Sequence, residues 1–193
     1  MRIIATLAFF VLIAGATGCA ELFSKPFDPN SLINTGTTSE GTEDPTYILL
    51  SGPTCQASSC KTYVTVSDDF PAPYRLTNTS AAKWIEPVGP NNNVHPVGQY
   101  VFRMMFSLKG VDLSTVVIDG QWASDNPGRD ILINGVSTGN KSPSLSEFSH
   151  FTIKSGFHSG DNTLDFVVDN TDPLPGYSHL NPVGLIVEFT KKK

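Results

Sequence analysis

The chain has 193 residues, of which 39% are hydrophobic and only 16% charged, which excludes a disordered acidic tail. Sixteen Gly and 14 Pro break it too often for a helical bundle. The 13 Lys and Arg against 18 Asp and Glu leave a net charge of −5, so no basic excess exists to neutralise a nucleic acid.

The N-terminus is read as an address. Arg2 supplies a positive n-region, and Ile3 to Ala16 form an apolar stretch of signal-peptide length. It falls short of the roughly 20 apolar residues that a membrane span requires. The run Ala16-Thr17-Gly18-Cys19-Ala20 resembles the lipobox of bacterial lipoproteins, with Ala16 where Leu is usual. That resemblance implies a signal peptide over 1–18 and lipidation at Cys19. Ordinary signal cleavage after Ala20 is the other reading, giving a secreted or periplasmic chain. On the first reading the protein is held at the outer membrane or cell surface, touching the membrane through its lipid alone.

Residues 19–45 are polar, small and rich in Pro and Gly, as in Glu40-Gly41-Thr42-Glu43-Asp44-Pro45, and are expected to form a flexible tether. The folded domain is expected over 46–193. In an exported chain the remaining pair, Cys55 and Cys60, is expected to form a local disulfide. Half of a zinc site is the competing reading, but no second pair stands at ligand spacing.

From Tyr47 onward the period is two. Tyr100, Phe102, Met104, Phe106 and Leu108 alternate with mixed residues; so do Leu164, Phe166 and Val168, and then Leu185, Val187 and Phe189. Ile131 with Ile133, and Phe151 with Ile153, repeat the pattern. Shorter candidates are 47–50, 61–66, 83–85 and 114–118. Turn signals such as Asn126-Pro127-Gly128, Asn134-Gly135 and Ser159-Gly160-Asp161-Asn162 separate them. No segment of ten or more residues after the signal carries a helical period. Eight or nine short strands imply an all-β antiparallel sandwich or jelly roll.

The order of motifs over about 98–189 resembles the galactose-binding-like β-sandwich of glycoside-hydrolase accessory domains and bacterial surface proteins. It runs from Val117-Ile118-Asp119-Gly120 through Ile131-Leu132-Ile133-Asn134-Gly135 and Phe148-Ser149-His150-Phe151. It ends with Gly160-Asp161-Asn162-Thr163-Leu164 and Asn181-Pro182-Val183-Gly184-Leu185. Residues 46–97 match the pattern poorly. The resemblance implies a fold whose members bind sugars, other small ligands or proteins, and fold alone does not choose among these.

No catalytic constellation emerges. His95, His150, His158 and His179 have no metal or triad spacing, and no Ser sits in a nucleophile elbow. A non-enzymatic binding module is therefore expected, with carbohydrate as first ligand class and no cofactor. The alternative is a structural or protein-interaction domain of the cell surface without a sugar site. Two loops combine hydrogen-bonding groups with a platform: one brings Asp125, Asn126, Arg129 and Asp130, the other Asp172, Tyr177, His179 and Asn181. They are expected at one end of the domain, with Tyr177 stacking on a sugar and the polar groups reading its hydroxyls. A structural calcium at Asp125–Asp130 is the weaker reading beside a plain turn, because the loop lacks enough oxygen ligands. Trp122 is expected to be buried with Val116 and Ile118. The final Lys191-Lys192-Lys193 reads as a solvated tail, with acidic lipid or polysaccharide as a weaker alternative.

Overall fold

Alternating side chains decide the architecture. In the computed structural model, which describes residues 24–66, 76–89, 94–171 and 181–192, Tyr100, Phe102 and Met104 are buried on one side of their strand. Gln99 and Met105 face out. The same period builds ten strands: β1 Glu43–Ser51, β2 Cys60–Val64, β3 Ile85–Glu86, β4 Gly98–Ser107, β5 Ile118–Asp125, β6 Gly128–Ile133, β7 Val136–Ser137, β8 Ser149–Ile153, β9 Asp161–Asn170 and β10 Gly184–Phe189. They form one antiparallel sheet in the order β7-β6-β9-β4-β1-β2-β3-β10-β5-β8. Among the described residues the helical elements are two 3-10 turns, Pro29–Ser31 and Leu113–Thr115, opened by Asp28 and Asp112 as caps.

The sheet is curled rather than flat. Five strands stand between β9 and β5 in the sheet order, yet Phe166 of β9 lies 5.6 Å from Trp122 of β5 and 6.3 Å from Phe151 of β8, ring centre to ring centre. The two ends of the sheet thus close over one continuous core, as in a half-barrel. Trp122, Phe166, Tyr47 and Phe102 are fully enclosed in it. Each Phe-sized side chain removed from water contributes about 2–3 kcal/mol against the entropy of ordering the chain.

A second, smaller cluster lies on the outer face of β5 and β10. Ala123 and Ile186, which alternate with Trp122, Leu185 and Val187, meet Ala82 and Trp84 there, with Leu76 and Phe148 at the margin. Residues 76–84 therefore form a strap over this face. Trp84 fixes it by donating from Nε1 to the Leu76 carbonyl at 2.7 Å.

The structure corrects three expectations. Residues 24–45 are not a free tether, and the folded unit reaches back at least to Lys25, which bridges to Val111. Leu32 is buried in the core, and Tyr47 donates its hydroxyl to the Ile33 carbonyl at 2.9 Å. The physical reason lies in β10. Its neighbour β3 is only two residues long and pairs with it at a single register position, Leu185↔Ile85, leaving backbone groups nearer the β10 C-terminus to be satisfied. Thr35 supplies them: its N–H donates to the Val187 carbonyl at 3.1 Å, and its hydroxyl accepts from the Val187 N–H at 3.0 Å. Asn34 accepts from the Phe189 N–H in the same way. Small polar residues that composition assigns to solvent are here partners of a strand edge.

Second, 114–118 is not a strand. A 3-10 turn occupies its start, and β5 begins at Ile118. Third, the sheet is continuous across what the sequence reads as two layers. All-β antiparallel architecture holds, as do the Cys55–Cys60 disulfide and the full burial of Trp122.

Candidate functional site

Strand directions give the domain two ends. At one, β4 and β6 begin, β5 and β9 end, and β10 begins, as the pairs Gly98↔Asn170, Gly128↔Val168 and Gly184↔Asp125 show. Both loops singled out in the sequence belong here by their anchoring residues. The Asn126 side-chain oxygen accepts from the Thr171 N–H at 3.1 Å, linking the start of the second loop to the first. Tyr177 and His179, with Asp172, lie outside the described residues.

The remaining predicted residues do not form one surface. Asp125 closes β5 and is only 6% exposed. Asp130 accepts from the Gly139 N–H at 2.9 Å and from the Ser137 hydroxyl, so its carboxylate serves the β6–β7 hairpin. Asn181 is 6% exposed and donates to the His95 carbonyl at 2.9 Å. Asn126 and Arg129 remain at the surface. Since β5 runs to Asp125 and β6 starts at Gly128, the expected six-residue loop is a two-residue connection. Among the described residues no group of three His, Cys, Asp or Glu could hold a metal.

Beside Arg129 the sequence reading missed a cleft. It is open, of about 380 Å³, and lined by Val97, Gly98, Gln99, Asp169, Asn170 and Thr171. Asp169 organises its rim: one carboxylate oxygen accepts from Arg129, the other from Gln99 Nε2 at 3.3 Å. Arg129 remains largely exposed, at 61% of its side chain, and keeps donors pointing to solvent. A carboxylate beside a guanidinium offers acceptors and donors side by side, the arrangement that pairs with two neighbouring hydroxyls.

The floor is rigid. Asn170 donates to the His95 and Pro96 carbonyls, both at 3.0 Å. Tyr100 donates its hydroxyl to Pro96 at 2.9 Å. His95 packs edge-on against the Tyr100 ring. Burial pushes the Tyr100 phenol up to about 12, so it is a hydrogen-bond donor at any physiological pH. The segment before β4 is thereby tied to the end of β9 and to Asn181. Asp169 and Asn170 could have been noticed as two polar residues that follow the apolar run Phe166-Val167-Val168, but Gln99 and Val97 carry no comparable signal.

His150, in β8, and His158, in the β8–β9 turn, are both exposed. Both tryptophans are buried, at 3% or less, and among the described residues no Phe, Tyr or Trp is exposed. Compared with models of protein families, with curated proteins and with solved structures, the chain matches none.

Proposed function

We propose that this protein is an exported, lipid-anchored, non-catalytic binding module of galactose-binding-like sandwich type, whose ligand is carbohydrate. The signal-like segment ending at Cys19 supports export and anchoring. The order of motifs over 98–189, together with an antiparallel sheet curled upon itself, supports the fold type. The observation that carries the ligand class is the Arg129–Asp169–Gln99 group on the rim of an open cleft. Its donors and acceptors suit sugar hydroxyls, and Tyr177 in the adjoining loop supplies the stacking ring.

A glycan array probed with residues 24–193 tests the ligand. Binding is expected, with a loss of about tenfold on Tyr177→Ala and a comparable loss on Arg129→Ala. An array that retains nothing overturns the carbohydrate reading. Anchoring is tested apart from it: Cys19→Ser should move the chain from membranes to the soluble fraction, and an unmodified mature chain beginning at Glu21 would overturn it.

A protein-interaction role is the second reading, favoured by Val94 and Val97. These are 50% and 51% exposed at the cleft end and offer apolar contact rather than hydroxyl recognition.

A further inference from the structure

At the end of the domain away from the cleft, Asn134-Gly135 joins β6 to β7. It is the one Asn-Gly pair in the chain, and every other Asn precedes a residue that carries a side chain. Such a pair is chemically labile as well as suited to a turn, because nothing on the glycine hinders its nitrogen from reaching the Asn side-chain carbon. Gly135 is exposed, and a Cβ there would meet nothing within 4 Å. Among the described residues its N–H has no hydrogen-bond partner. The nucleophile is therefore free.

The electrophile is held. Asn134 gives both amide hydrogens away, to the Gly156 carbonyl and the Asn162 side-chain oxygen, each at 2.8 Å. Its oxygen accepts from the Thr163 N–H at 2.9 Å. Asn162 cannot yield, being wholly buried and tied through its own amide to the His158 and Gly160 carbonyls. Ring closure needs Cγ of Asn134 turned face-on to the Gly135 nitrogen, and these bonds to residues 156–163 fix the plane of the amide. Attack waits until they open together.

We propose that Asn134 is a deamidation site latched by the fold: inert while the β6–β7 and β8–β9 turns are joined, reactive once they part, and unable to rejoin them afterwards. The Gly135 nitrogen, having given its proton to hydroxide, attacks Cγ; the Cγ–Nδ2 bond breaks and ammonia leaves. Water then opens the cyclic imide at either carbonyl, giving aspartate or isoaspartate, so no reactant beyond water and its hydroxide is required. The aspartate product sets a carboxylate oxygen where Nδ2 stood, against the Gly156 carbonyl and the Asn162 oxygen, two acceptors with no proton to give it. Isoaspartate lengthens the backbone within a tight hairpin turn. Either product has lost the donors that closed the latch, so the step runs one way.

The full chain is kept folded in mildly alkaline buffer, or unfolded in urea at the same pH, and peptide mass spectrometry follows conversion at each Asn. In urea Asn134 should convert ahead of the others, and in the folded chain about a hundredfold more slowly, because only the opened fraction reacts. Equal rates at Asn134 in the two conditions overturn the latch. Local opening is separated from global unfolding by two variants of similar expected stability: Asn162→Ala, which removes a latch bond, and Gly128→Ala, where a Cβ would meet the Trp122 ring in the core. Conversion at Asn134 in the folded state should rise several-fold more in Asn162→Ala than in Gly128→Ala. Equal rises overturn the latch and leave global unfolding as the gate. Should Gly128→Ala fail to fold, Trp122→Phe brought to the same stability with urea takes its place. The one-way step is read from Asn134→Asp, which should unfold at urea concentrations at least as low as Asn134→Ala. A midpoint nearer the parent's overturns it, since the product then rejoins the turns.

Discussion

The Asn134 side-chain amide donates to the side-chain oxygen of Asn162 at 2.8 Å, across two turns that are 28 residues apart. The same Asn134 amide reaches the Gly156 carbonyl, and its oxygen accepts from the Thr163 N–H. Asn162 completes the knot by donating to the His158 and Gly160 carbonyls and accepting from the His158 N–H. The β6–β7 hairpin and the β8–β9 turn are thus held by two amides. Asn134 stands at φ 51 and Gly135 at φ 80, the left-handed pair that a tight hairpin needs.

Asn162 is wholly buried, so removing its amide leaves the His158 N–H and carbonyl and the Asn134 amide short of a partner, while the Gly160 carbonyl keeps its bond from the Leu108 N–H. Asn162→Ala should cost about 3 kcal/mol in urea unfolding, since buried groups left unpaired cost about 1–3 kcal/mol each and the turn can relax in part. Asn134→Ala should cost less, and the two together less than their sum, because they share one bond. Additive losses would show that the turns are independent.

Alkaline pH should unfold the domain through Tyr47 and Tyr100. Burial raises both phenols, Tyr100 to about 12, with the Asp44 carboxylate adding to the effect at Tyr47. The unfolded chain loses these protons near the ordinary value of about 10 while the folded chain keeps them. Stability is therefore full below pH 10 and falls as pH rises toward 12, by up to about 1.4 kcal/mol per pH unit for each tyrosine. Unfolding midpoints followed by tyrosinate absorbance check this. Tyr100→Phe should flatten the slope at modest cost at neutral pH, because Pro96 keeps its bond from Asn170. A midpoint constant from pH 9 to 12 contradicts it.

How far the sequence could be read depends on how local the determining forces are. The strands of 98–189 were legible because alternation is written into each segment, and Asn134-Gly135 because a hairpin turn needs two adjacent residues of that kind. Residues 24–45 were misread because their structural role is set by β10, some 150 positions away: nothing local marks Thr35 as a backbone partner of Val187. The ligand end was legible only in part. Arg129 was found, but its partner Asp169 lies 40 residues on, and the cleft exists only because β4 and β9 run together in register. Asn181 looks like a surface group in sequence, yet it is buried because its amide satisfies the His95 carbonyl; Asp125, equally polar, is buried where it closes β5.

The Cys55–Cys60 bridge closes the β1–β2 connection at the cleft end. Its loop also touches the ligand end: a Cβ at Gly98 would come 2.6 Å from Pro53 Cγ. Replacing both cysteines by Ser should lower stability by about 2 kcal/mol, the amount expected for so short a loop. The non-reduced, unfolded domain should titrate no free thiol at these positions. Two titrated thiols in material purified from an oxidising compartment would contradict the pairing.

Gly128 provides the sharpest test of the core. In sequence it looks like the glycine of a Pro-Gly turn, yet it is a buried strand residue. A Cβ there would lie 2.3 Å from Cη2 and 2.5 Å from Cζ3 of Trp122, and 2.8 Å from the Ser124 hydroxyl. Trp122 cannot step aside, being fully buried and packed against Phe166. Gly128→Ala should therefore destabilise the domain by about 3 kcal/mol, toward the upper end of overpacking costs. Trp122→Phe removes the outer ring that carries both close carbons. On its own it should cost about 2 kcal/mol for the lost contacts and the space left behind. In that background Gly128→Ala should cost far less, so the double mutant falls well short of the sum. Urea unfolding of the four proteins measures this. If Gly128→Ala alone stays within about 0.5 kcal/mol of the parent, the close approach of β6 to the Trp122 ring is wrong. If the losses add, the glycine is required for some reason other than that ring.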